Sequence, residues 1–307
     1  WGGVNDGIDE SWGPELDAGL MIPQFDSPYD PVTGVRTPTP WISHPDNVKD
    51  VFETGFNRII TASVNRMEDD YNYRLSVSNQ DQTGMVPNTD QKKNSITLNA
   101  GINITSKLKV GGSGTYTVTK NDNIMGSGYT SAGILQSLSQ WFGRQVDTKY
   151  LKDNWQEIDP VSGRNVNWNH SYHDNPYWTV NKNTNSRSRE RIIGNVNLSY
   201  DITDWIQFRT MVGIDAYSQH IKQVRAKGSH DWMDGRFDNY ESVRSEVTAN
   251  AVFTFDKTVG DFDFLGTLGT EYNHYDYRSD NTYVDALIIP DLYATSNAAV
   301  AARTGMS

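Results

Sequence analysis

The stretch Arg189-Glu-Arg-Ile-Ile-Gly-Asn-Val-Asn-Leu-Ser-Tyr200, followed by Asp201-Ile-Thr-Asp204 and Trp205-Ile-Gln-Phe-Arg-Thr-Met-Val-Gly-Ile-Asp-Ala-Tyr217, decides how this chain is read. In the first arm Ile192, Gly194, Val196, Leu198 and Tyr200 fall on one face, and Asn195, Asn197 and Ser199 on the other. In the second arm Ile206, Phe208, Thr210, Val212, Ile214 and Ala216 lie opposite Gln207, Arg209, Gly213 and Asp215. Successive side chains of a strand point to opposite faces. Period-two alternation on both sides of a tight polar turn therefore predicts a long antiparallel hairpin. Its apolar face can meet a protein core or lipid, and the rest of the chain must decide which.

The same unit recurs. Ile60, Ala62 and Val64 alternate with Thr61, Ser63 and Asn65, and Tyr73, Leu75 and Val77 with Arg74, Ser76 and Ser78. Ile96, Leu98, Ala100 and Ile102 then alternate with Ser95, Thr97, Asn99 and Asn103, and a further run follows from Leu108 to Val118. After the opening hairpin comes a third pair, Val247 to Phe255 and Phe262 to Tyr272. About eight strands are expected. Turns near 66–70, 103–106, 201–204 and 256–261 are short, whereas 79–91, 119–189, 218–238 and the segment after 277 are long. Residues 1–45 read as Pro- and Gly-rich loop, including Trp1-Gly-Gly3. A short helix is expected over 45–55, capped by Ser43 or Asp46 and ended by Gly55. A second is expected near 130–142, from the spacing of Ile134, Leu138 and Trp141.

Composition narrows the class. Lys and Arg total 27 against 38 Asp and Glu, a net charge of −11, which argues against a nucleic-acid partner. There is no cysteine, so disulfides, Cys-based zinc sites and thiol nucleophiles are excluded. Mean hydropathy is −0.64, and no run of ~18 apolar residues could form a transmembrane helix. Transmembrane β-strands keep mean hydropathy low because they alternate. Short turns at one end and long loops at the other, strands longer than the usual ~5–6 residues, and a polar face of Asn, Ser and Thr all fit that class. The fold expected is all-β: part of an antiparallel transmembrane β-barrel with long extracellular loops and short periplasmic turns. The alternative is a soluble, secreted all-β carbohydrate-binding or adhesin module.

Several phrases carry a resemblance. Ser11-Trp-Gly-Pro-Glu-Leu-Asp17, Thr39-Pro-Trp41, Pro45-Asp-Asn-Val-Lys-Asp50, Glu53-Thr-Gly55 and Asp174-Asn-Pro-Tyr-Trp178, in this order, are similar to the SusC/RagA family of TonB-dependent outer-membrane transporters of Bacteroidetes. The resemblance implies a barrel of about 22 strands with an N-terminal plug. It implies a location in the bacterial outer membrane, among its lipid. It also implies import of oligosaccharides (glycan uptake) or peptides, a SusD-like surface lipoprotein as lid, and TonB-ExbB-ExbD engaged through a TonB box. Plug and TonB box are not recognisable here, and no terminal aromatic residue follows Arg303-Thr-Gly-Met-Ser307. The chain is therefore expected to be an interior barrel fragment. Residues 1–55 would be an extracellular loop with a short helix, 56–119 four strands, 120–188 a long extracellular loop, 189–277 four strands, and 278–307 a loop.

The long loop is rich in aromatic residues interleaved with Asn and Asp. Trp141, Trp155, Trp168, Tyr177 and Trp178 are candidates for contact with ligand or lipoprotein, since ring faces stack on sugars while amides and carboxylates meet hydroxyls. The competing expectation is that these rings pack the loop on itself. Asn195, Asn197, Arg209 and Asp215 are expected to face the lumen. His170-Ser-Tyr-His173-Asp174 offers two histidines without a third ligand, so no metal site is expected. Asp69-Asp70, Asp261 and Asp263 read as solvated turn residues. Gly111-Gly-Ser-Gly114 lies within a strand rather than before a helix, so it is no phosphate loop, and Ser11-Trp-Gly-Pro14 is no nucleophile elbow. Neither enzyme activity nor a cofactor is expected. A hydrolase with carboxylates in the long loop is the third reading.

Overall fold

The computed structural model describes residues 8–128 and 133–306. Trp1-Gly-Gly3, residues 130–132 of the second expected helix, and Ser307 lie outside them. One antiparallel sheet of nine strands carries the structure. Its strands are β1 (Phe56–Met67), β2 (Tyr71–Thr83), β3 (Asp90–Asn103), β4 (Leu108–Asn121), β5 (Asn185–Thr203), β6 (Ile206–Arg225), β7 (Arg236–Val259), β8 (Phe262–Val284) and β9 (Arg303–Met306). Each pairs with its neighbour in sequence, a plain meander. The turns joining β1 to β2, β3 to β4, β5 to β6 and β7 to β8 are short. Gly260 takes φ +62° in the β7–β8 turn, a left-handed conformation that costs glycine little.

The ladders put most of the apolar residues of the eight long strands on one face. Val196 stands opposite Gly112 and Val212, Val212 opposite Ala249, and Ala249 opposite Tyr272. On the other side Leu98 faces Leu75, and Leu75 faces Val64. Among the described residues nothing covers this face: Val196 is 61 % exposed and Leu268 66 %. The opposite face carries a carpet of small polar groups, with Thr61 bonded to Ser78 at 2.9 Å, Thr97 to Thr115 at 3.0 Å and Asn195 to Ser113 at 2.9 Å. Ser76, Ser78, Ser95 and Thr97 are half-buried, while the larger Leu75, Val77, Ile96 and Leu98 beside them are exposed. Small side chains are more enclosed than large ones only if the sheet curves toward them. The polar face is therefore concave and the apolar face convex.

The apolar band also drifts. Through seven ladders Ala62 on β1 lies in line with Val77, Ile96, Tyr116, Ile192, Ala216, Ser245 and Asp276. Yet the apolar run of β8, from Phe262 to Tyr272, is centred about nine residues nearer the short turns. At ~3.3 Å per residue and ~4.8 Å between strands, that is about 30 Å of stagger over about 34 Å of sheet, a strand tilt of roughly 40°. Barrel strands in a membrane tilt by about 35–45°. Aromatic residues line the lower margin of the band. Tyr200 sits there, Phe208 and Phe253 stand 4.8 Å apart, and the Trp205 and Phe255 rings are 6.5 Å apart.

Several strands outrun the apolar pattern. β6 and β7 pair as far as Arg225 with Arg236, where a loop was expected over 218–238, and β8 continues to Val284. Above the band both faces meet water, so alternation is not required although the backbone ladder continues. A ninth strand, β9, pairs its Arg303–Met306 with Asp280–Tyr283 in a segment expected to be loop. The helix expected over 45–55 is only a 3-10 turn at Lys49–Val51, without a side-chain cap, and Phe52 is already extended. Tertiary bonds redirect the chain there: Glu53 donates its N–H to the Met85 carbonyl at 2.7 Å. Within 134–140 the second expected helix does form.

An arginine on the convex face must be desolvated in lipid, whereas one on the concave face need not be. Val196→Arg or Phe253→Arg is expected to cost about 2–4 kcal/mol and to block membrane assembly, while Asn197→Arg assembles. Heat-modifiable gel mobility of the full-length protein in isolated membranes checks this; equal assembly of all three would refute the face assignment.

Candidate functional site: the cap and the concave face

Above the strands the long connections fold together into a cap. It contains α1 (Ile134–Gln140), α2 (Thr148–Asp153) and α3 (Pro176–Lys182). Val51, Ile134, Leu138, Phe142, Val146, Leu151, Tyr177 and Val180 form its buried core. Asp147 caps α2 by accepting the N–H groups of Lys149 (2.8 Å) and Tyr150 (3.2 Å). A second core, Val224, Phe237, Val284 and Leu287, joins the tops of β6, β7 and β8 to the segment after β8.

Two of the phrases singled out in the sequence hold the cap together. Asn47 is 1 % exposed. Its Nδ2 donates to the carbonyls of Gly143 (2.9 Å) and Val146 (3.0 Å), and its Oδ1 accepts from Arg144 (2.9 Å). Asn175 is equally buried. Its Oδ1 accepts the Tyr177 N–H at 2.9 Å, capping α3, and Pro176 sits in the first turn, where its lack of an N–H costs nothing. Its Nδ2 donates to the Leu151 and Val166 carbonyls, both at 3.0 Å. Next to it, Asp174 Oδ1 accepts the His230 N–H at 2.9 Å, tying the cap to the β6–β7 loop.

The aromatic candidates are occupied within this cap. Trp168 stacks on His173 with centroids 4.8 Å apart and meets the Phe142 ring edge-on at 5.3 Å. Trp141 lies 6.5 Å from the same His173 ring. Trp155 packs against the core. Trp178 donates its indole N–H to Ser229 Oγ at 2.9 Å, with the Lys182 ammonium 5.9 Å over its ring. Tyr177 is 3 % exposed, and burial pushes its phenol up to about 12. Its ring belongs to the cap core and presents no surface to a ligand, a correction to its place among the contact candidates. Trp141 and Trp168 are brought together around His173; Trp155 and Trp178 stand apart from them.

His173 Nε2 is 2.7 Å from Asp9 Oδ2, and its Nδ1 2.8 Å from Ser137 Oγ. Burial holds its pKa below the usual imidazole value. His170 Nε2 is 2.8 Å from the Asn165 carbonyl instead. Among the described residues no group of three or more His, Asp or Glu could hold a metal ion. Burial also pushes the Asp174 carboxyl up to about 7, and its Oδ2 is buried without a hydrogen-bond partner.

Asn195, Asn197, Arg209 and Asp215 all lie on the concave face, with Asn197 opposite Met211, Arg209 opposite Ser199, and Asp215 opposite Ile193. Alternation alone placed them. The ladders place Arg187, Arg189, Arg191, Tyr217 and Arg244 on the same face, and their clustering depends on register. Arg191 forks onto Asp215 at 2.7 and 2.5 Å, and Arg244 bonds Glu246 at 3.0 Å.

No protein-family model matches this sequence, and no curated protein matches it. Solved structures do. The chain superposes on the RagAB peptide importer in its closed-closed state with a TM-score of 0.63 at 16 % identity, covering 85 % of this chain and 30 % of that one. A RagAB peptide transporter structure gives 0.62 at 14 % identity, with 85 % and 30 % covered, and the open-open state 0.60 at 16 %, with 85 % and 29 % covered. The chain thus spans about 30 % of the length of the transporters it matches.

Two outcomes are expected of the cap. Asn175→Ala removes three hydrogen bonds from a buried site, so the cap should lose about 2–4 kcal/mol while the strands keep their protection, read by hydrogen exchange. A carboxyl with a raised folded-state pKa contributes its stability fully at low pH and loses it as pH rises, here from about 4 to about 7. One pKa unit corresponds to about 1.4 kcal/mol, so about 4 kcal/mol is the upper bound. Thermal melting of the cap followed by tryptophan fluorescence should show this slope, and Asp174→Asn should flatten it. From these placements the fold follows: the chain is a wall segment of an antiparallel transmembrane β-barrel of the outer-membrane type.

Proposed function

We propose that the chain supplies barrel wall and substrate-facing cap to a TonB-dependent importer in the bacterial outer membrane, taking up peptides or oligosaccharides. One observation carries this reading: a single apolar convex face, tilted as membrane barrels tilt, beneath long loops packed into a cap at one end only. The likeness to RagAB peptide importers supports it. The SusC/RagA resemblance adds the partners, a SusD-like lipoprotein closing over the cap and TonB-ExbB-ExbD acting through another part of the protein. The cycle involves binding, lid closure and energised release, with no bond change in the substrate. A soluble carbohydrate-binding or adhesin module would have to cover or polarise the convex face, and Val196, Val212 and Leu268 are uncovered.

The test is uptake. Cells carrying the full-length protein together with a SusD-like lipoprotein should accumulate fluorescent oligopeptides or oligosaccharides. Accumulation should stop when TonB is deleted. Which probe enters assigns the substrate class. TonB-independent accumulation, or a full-length protein that stays soluble without detergent, would sink the proposal.

A further inference from the structure

The concave face is not uniform. On β1 to β4 it is mostly hydroxyl and amide, with Arg74, Lys93 and Lys109 as its cations, and Thr61, Ser78, Ser95 and Thr117 form one cross-strand row. Across the next ladder that row continues as Arg191, Tyr217, Arg244 and Tyr277. The row above it brings in Arg189 beside Gln219, and the row above that Arg187. We propose that this Arg–Tyr patch is a binding site for the carboxylates of an acidic peptide passing along the concave face. The inference rests on the import reading and adds a substrate class to it.

Charge carries the argument. Four arginines, at 187, 189, 191 and 244, face two adjacent carboxylates, Asp215 and Glu246. Four minus two leaves a local charge of two positives in a chain whose net charge is −11. The surplus sits on Arg187 and Arg189. Among the described residues neither pairs with a carboxylate: Arg189 Nε donates to Gln219 Oε1 at 2.8 Å, and Arg187 Nε is buried with no partner. Of the other concave-face acids on β7 and β8, Asp238 is held by Arg236 at 2.9 Å, and Glu271, Asp256 and Asp263 lie lower, toward the short turn.

Geometry fixes the class. Arg189 lies over the Tyr217 ring at 4.5 Å and Arg244 over Tyr275 at 5.0 Å. A stacked guanidinium is held flat and still presents N–H groups at its edge, the arrangement that grips a carboxylate with two hydrogen bonds. Each of these two tyrosines has a ring face covered by an arginine. Those faces are closed to a pyranose, so the patch selects charge rather than sugar planes. The Ser, Thr and Asn carpet alongside offers donors and acceptors to the peptide backbone.

Binding to the full-length protein in detergent tests this, with three fluorescent probes: a glutamate-rich octapeptide, its glutamine counterpart, and an oligogalacturonate. At about 50 mM salt the glutamate peptide should bind at least about tenfold tighter than the glutamine one, and the difference should shrink at high salt. Arg187→Gln with Arg189→Gln should abolish the difference, while Arg58→Gln on the convex face leaves it intact. Equal binding of the two peptides, absence of binding to both, or an unchanged difference in the double variant overturns the proposal. So does preferential binding of oligogalacturonate, which would make the site one for acidic glycans. Failure here with TonB-dependent uptake retained removes the patch and leaves import standing. A charge-selective patch in a protein that accumulates nothing would do the reverse.

Discussion

In hydrocarbon no water is available to satisfy an exposed peptide group, so every backbone N–H and C=O must find a partner within the protein. A continuous antiparallel ladder meets that demand and leaves the side chains to choose their solvent by parity alone. The rest of the structure depends on this division. Within the apolar band the even-numbered residues of β5 and β6 point to lipid and the odd-numbered ones to the concave face, and the register carries the same division across β1 to β8. Lateral order follows too. A meander of sequence neighbours needs only short turns at one end, so loop length accumulates at the other.

The cap solves a different problem. Its connections have few ladders and short helices, and their buried peptide groups still need partners. Buried asparagines take the place of missing backbone. Asn123 accepts the Asn185 N–H at 2.9 Å and donates to the carbonyls of Asn88 (3.0 Å) and Val180 (3.2 Å). Asn183 accepts from Ala226 and Ser229, both at 2.9 Å. Asn297 does the same for the segment after β8, bonding Ile289 and Leu292. A side-chain amide presents one acceptor and two donors, like a short piece of strand edge, and so can stitch loops far apart in sequence. The indoles and imidazole of the cap fill the remaining space, which is why its rings face one another.

Wall and cap meet function at the concave face. The ladders that keep the convex face apolar also bring polar residues from eight strands into cross-strand rows, where charge and hydroxyl segregate. Above the band the strands continue with no lipid to satisfy, and the cap rests on those extensions.

Much of this was legible in the sequence. Period-two alternation gave eight strands, their faces and the contrast of turn lengths, because a strand between lipid and water has no other way to arrange its side chains. The shared face of Asn195, Asn197, Arg209 and Asp215 came from the same signal. Tertiary structure decided the rest. Where both faces meet water, as at the tops of β6 and β7 and in β9, alternation disappears though pairing continues, so strand ends could not be read. The phrases around Asn47 and Asn175 look like loop chemistry until their amides are seen bridging segments about a hundred and about ten to twenty-five residues away. Whether Tyr177 would meet a ligand or pack the loop on itself stayed open in the sequence, because aromatic content does not reveal what a ring packs against. The Arg–Tyr row exists only through register, which sets Arg191, Tyr217, Arg244 and Tyr277 side by side. Parity is a local property of the chain and is written in it; adjacency across strands is decided by how distant segments align.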